Sequence, residues 1–78
     1  MKTIEFAGIE FETASEAIQH VNASGRGVAI TGVAGANGSF VVEQAEADRL
    51  AAAGVEFAYL IDHEMPDGTF RVLTVPVN

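Results

Sequence analysis

The chain has 78 residues, 49% of them apolar, no cysteine and a formal net charge of −7. A chain of this size forms one domain, residues 1–78, whose core is thin because folding buries only about 60% of the unfolded surface; disulfides and thiolate metal sites are excluded. Eleven acidic residues stand against Lys2, Arg26, Arg49 and Arg71, and four scattered cations cannot track a phosphate backbone, which excludes direct nucleic-acid binding.

The first residues, Met1-Lys2-Thr3-Ile4-Glu5, lack the basic stretch and apolar run of a signal peptide. No window reaches the ~20 apolar residues of a membrane helix. A soluble cytoplasmic protein with no membrane partner is the expectation.

Ile4-Glu5-Phe6 and Ile9-Glu10-Phe11-Glu12 alternate apolar with acidic, the period of a strand with one wet face. With Ala7-Gly8 between them they predict an opening hairpin. Ile4, Phe6, Ile9 and Phe11 would point inward, and Glu5, Glu10 and Glu12 outward. Thr13-Ala14-Ser15-Glu16 matches a capping box, in which the Thr13 hydroxyl accepts from the Glu16 amide and the Glu16 carboxylate reaches back. Ala14, Ala17, Ile18 and Val21 then share one helical face, and Gly25 suits the left-handed position past the end. The first helix is expected over 14–23.

Val28 to Thr31 reads as a strand, returned by Phe40-Val41-Val42 through an Asn37-Gly38 turn, because both turn residues tolerate positive φ. From Glu43 to Ala53 helix formers dominate, with acids in the first turns and Gly54 closing the helix. Val55 to Ile61 is the most apolar strand, with Val55, Phe57, Tyr59 and Ile61 on one face and Ala58 and Leu60 on the other. Met65-Pro66-Asp67-Gly68 is a turn, Thr69 to Val75 the returning strand, and Pro76 marks an edge or a strand end. The predicted order is ββαββαββ. It describes a small α+β domain, a mainly antiparallel sheet with two short helices packed on one face.

Three groups of residues bear on chemistry. Thr31-Gly32-Val33-Ala34-Gly35-Ala36-Asn37-Gly38 follows a strand and resembles the TGxxGxxG fingerprint of extended short-chain dehydrogenases. That resemblance implies a nucleotide held by loop 32–38, with Asp62 as the ribose acid. The same residues also read as a glycine-rich hairpin loop, because Val41-Val42 favours a returning strand and Lys2, the only lysine, forms no Tyr-x-x-x-Lys pair.

Asp62-His63-Glu64, with His20, offers carboxylate and imidazole for a divalent metal or acid–base work. Neighbours in a strand face opposite sides, however, so at most Asp62 and Glu64 act together. Ser15, Ser24 and Ser39 have no G-x-S-x-G elbow around them. No catalytic residue, metal ligand or cofactor is therefore assigned, and the chain reads as a non-enzyme.

The third group is apolar. Tyr59, Leu60, Met65, Phe70, Leu73 and Val75 lie on the last hairpin, and the alanine-rich helices offer little volume to cover them. The leading expectation is an acidic, non-catalytic protein-interaction domain, homodimeric through that hairpin. Its partner would be a second copy or a basic-surfaced protein. The alternative is an inhibitor of the kind phages and mobile elements encode, anti-CRISPR or immunity-type. In that reading Glu5, Glu10 and Glu12 block a basic nucleic-acid-binding or catalytic surface.

Overall fold

A computed structural model describes residues 5–78. The elements, in chain order, are β1 (Ile9–Phe11), α1 (Ala14–Ser24), β2 (Val28–Thr31), a single 3₁₀ turn (Val33–Gly35), β3 (Ser39–Val42), α2 (Gln44–Ala52), β4 (Phe57–Glu64) and β5 (Phe70–Val77). The strands form one five-stranded sheet, ordered β1-β3-β2-β4-β5, with every neighbouring pair antiparallel. The predicted small α+β class with an antiparallel sheet and two short helices is the observed one.

The helices do not share a face. Ala29 and Ile30 are adjacent in β2, so they point to opposite sides of the sheet, and each side has its own core. Ala29, Val41 and Leu60 pack with Ala17 and Ile18 of α1. Ile30, Val42 and Phe57 pack with Ala47 and Leu50 of α2. The expected two layers become three because β2 and β3 carry apolar residues on both faces, and each face must be covered.

Local signals placed the helix ends well. The Thr13 hydroxyl accepts from the Glu16 amide at 3.2 Å, and Gly25, at φ 68°, donates its amide to Val21 at 2.9 Å. Beyond α2, Val55 donates to Leu50 and Gly54 to Ala51, both at 3.0 Å. These are the paired bonds of a Schellman end, and Val55 packs against the core cluster that contains Leu50.

The opening hairpin is not formed. Residues 5–8 carry no regular structure, and β1 pairs with β3 instead, with Ile9 opposite Val41 and Phe11 opposite Ser39. Glu46 and Arg49 of α2 hold the segment: the Ala7 amide donates to Glu46 Oε2 at 3.0 Å, and Arg49 Nη2 donates to the Glu5 carbonyl at 2.9 Å. Phe6 stands edge-on to Phe40, with ring centroids 5.0 Å apart. Gly8 serves close approach, since a Cβ there would meet Val42 Cγ1 at 2.8 Å. Of the four predicted inward residues, Phe6 and Phe11 are half-buried, Ile9 is 52% exposed, and Ile4 lies outside the described residues.

The β2–β3 connection also differs from its prediction. Thr31 pairs with Ser39, so the loop spans residues 32–38 and is wider than an Asn37-Gly38 turn. Gly32, Ala34, Gly35 and Gly38 all have positive φ, and the Thr31 hydroxyl ties the loop by donating to the Gly38 carbonyl at 2.7 Å.

Candidate functional site

β4 and β5 are paired over eight positions, from Phe57 opposite Val77 to Glu64 opposite Phe70. β2 is registered against β4 at only two, Ile30 with Tyr59 and Thr31 with Ala58. Beyond Tyr59 the hairpin leaves the sheet as a two-stranded arm, and the molecule is correspondingly long, 45 × 22 × 21 Å. An open cleft of about 430 Å³ lies where β4 departs, between Val28 and Ala29 on one side and Leu60 and Ile61 on the other, with Ile18 and Val21 of α1 beside it.

The tip of the arm is tightly specified. Gly68, at φ 87°, donates to the Met65 carbonyl at 2.9 Å, and the Met65 amide donates to Thr69 at 2.7 Å. Proline at the second turn position and glycine in the left-handed region are what this turn requires. Asp67 Oδ1 accepts from the Thr69 hydroxyl at 2.6 Å and from the Thr69 amide at 3.0 Å. The hydroxyl bond above all, with the amide bond, holds the Asp67 carboxyl below its ordinary range.

Along the arm, apolar side chains meet water on both faces. Ile61, Leu73 and Val75 are exposed on the α2 side, and Phe70 and Val72 on the α1 side, Phe70 to 64%. Isolated exposed apolar residues are ordinary, but five on one two-stranded element are a patch. The predicted hairpin residues divide accordingly. Phe70, Leu73 and Val75 belong to the exposed patch, and Met65 is half-buried at the tip. Leu60 is buried against α1. Tyr59 is half-buried, stacked edge-on against Phe57 at 5.4 Å, and its hydroxyl accepts from Gln44 Nε2 at 3.3 Å. The sequence reading missed Ile61 and Val72. Strand alternation puts Ile61 on the face of Phe57 and Tyr59, but whether that position is covered depends on where β2 ends, which alternation does not show.

The other candidates lie apart from the arm. Glu10 is in β1, Glu12 just past it, and Glu5 on the segment held by α2; all three are exposed. Glu46 is held below the ordinary glutamate range, first by the Ala7 amide and then by Arg49.

Asp62 and Glu64 face the α1 side and His63 the α2 side, while His20 sits against Phe11, with ring centroids 5.3 Å apart. Among the described residues no group of three His, Asp or Glu side chains is placed to hold a metal ion. Loop 32–38 joins two antiparallel neighbours, and a strand follows it. The helix N-terminus that gives a TGxxGxxG loop its grip on pyrophosphate is therefore not next to these glycines. Among the described residues no helix is long and apolar enough to cross a membrane.

The exposed arm therefore offers apolar contact and strand-edge hydrogen bonds. Comparison with protein-family models, curated proteins and solved structures finds no match to this chain.

Proposed function

We propose that this chain is a non-catalytic protein-interaction domain that engages its partner through the β4–β5 arm. The observation that carries this reading is the set of five large apolar side chains left exposed on the hairpin from the level of Tyr59, the last residue of β4 registered with β2, toward the tip. Holding apolar area in water is unfavourable by roughly 25 cal/mol per Å², and a partner that covers the patch recovers that energy. The compact body, with its core on each sheet face, anchors the base of the arm.

The test is a tagged capture from native lysate, comparing wild type with the Phe70→Lys/Leu73→Lys double variant at two salt concentrations. The expected result is one stoichiometric protein with wild type, lost with a double variant that melts like wild type. Equal capture by both, or none by wild type, counts against the reading. A partner held by the variant but released by salt would move the site to the acidic surface around Glu5, Glu10 and Glu12.

A further inference from the structure

The hydrogen-bond pattern of β5 narrows which groups of the arm a partner would match. The Met65 amide bonds to the Thr69 carbonyl, and in an antiparallel ladder bonded pairs recur at every second position. Carried along the register, His63–Arg71, Ile61–Leu73, Tyr59–Val75 and Phe57–Val77 are the bonded pairs. Phe70, Val72, Thr74 and Pro76 therefore turn their backbone N and O away from β4. Proline occupies one of the positions where a missing N–H costs the hairpin nothing.

Among the described residues nothing pairs with this outer edge. Protected edges carry lysine, inward charge, a bulge or central proline. Val72 to Val75 has none of these, and Pro76 guards only the far end. β5 also carries one charge, Arg71, and no carboxylate. It is a surface on which two copies of a −7 chain can meet without setting acid against acid.

We infer that β5 pairs antiparallel with β5 of a second copy, about a two-fold axis at Val72, to form a continuous ten-stranded sheet. This rests on the arm being the interaction site. In that register Val72 lies opposite itself and Phe70 opposite Thr74 of the second copy. All three outward N–H groups meet carbonyls, and Pro76 falls outside the bonded stretch. Moving the axis to Leu73 sets Phe70 against Pro76, whose missing N–H leaves the Phe70 carbonyl without a donor. Moving it to Arg71 sets Thr74 against Gly68, whose N–H is already bonded to Met65. On the α1 side the two Val72 side chains touch. On the other, the Arg71 stem lies along Leu73 of the second copy. The two Asp62 carboxylates stand three strand spacings apart, about 14 Å, beyond the reach of strong repulsion. A two-fold pairing of one edge is closed, so a dimer forms and no filament grows.

Sedimentation equilibrium on the full chain is the direct test, with Val72→Pro as the decisive variant. That change removes an outward N–H and leaves every bond to β4 in place. Wild type should sediment at twice the chain mass at about 100 µM, with association weakened at least about hundredfold in the variant. Because the chain has no cysteine, Val72→Cys supplies a second readout. It should cross-link rapidly on mild oxidation, since directly opposed bonded residues lie about 5.5 Å apart. Thr74→Cys should not cross-link. A wild-type monomer, a dimer untouched by Val72→Pro, or equal cross-linking at the two positions would overturn the pairing. Capture of a different protein through the arm, with the wild type monomeric, would overturn the self-pairing and preserve the interaction reading.

Discussion

At the base of the last hairpin Phe57 is 2% exposed, packed between α2 and the edge of Tyr59. Near the tip Phe70 is 64% exposed. The two strands are of equal length and share one apolar-rich chemistry. What separates base from tip is the reach of the neighbouring elements: β2 is four residues long and registers with β4 only at Tyr59 and Ala58. Whether an apolar side chain is buried in the core or left in water is thus decided by the strand beside it.

The largest test of this contrast is Phe57→Ala, which should cost about 3–5 kcal/mol in denaturant unfolding, the penalty for emptying a filled core site. The same truncation at Phe70 should change stability by less than about 0.5 kcal/mol when measured on dilute protein. Similar costs at both positions would mean that the arm is covered within one chain. Between these, Thr31→Val removes the hydroxyl bond to Gly38 opposite the hairpin base and should cost about 1 kcal/mol in the same measurement. No loss would show that the 32–38 loop does not brace the base.

Acidification should act most gently, and at two separate places. Asp67 at the tip and Glu46 on α2 both have carboxyl pKa values lowered by folding, from ordinary values of 3.8 and 4.5. The stability they contribute is complete above those values and is lost as pH falls through the lower, folded-state ones. Amide exchange should first quicken at Ala7 and Thr69, whose N–H groups these carboxylates accept. Exchange that is indifferent to pH below 4, after correction for the intrinsic rate, would show that neither bond matters in solution.

Short-range chemistry was legible from residues alone. The Thr13 cap, Gly25, the Gly54 helix end and the Met65–Gly68 turn each depend on two to five consecutive residues, and each appears where its pattern predicts it. The antiparallel α+β character followed from strand periods and helix formers in the same local way. The arm was visible as an apolar surplus on the last hairpin, though not which of its residues would be covered.

Tertiary structure decided the rest. The opening alternation around Ala7-Gly8 is as good a hairpin pattern as the final one. Residues 5–8 instead lie along α2, because Glu46 and Arg49, about forty residues away in sequence, supply the bonds that a second strand would have made. The glycine loop looked like a phosphate cradle until β3 proved to return beside β2. Ala29 and Ile30 show which helix covers which face only when both helices are in place. Sequence fixes local geometry because backbone preferences and caps act over a few residues. Strand order, face assignment and the length of arm left uncovered depend on contacts between distant segments, so those were settled only by the folded chain.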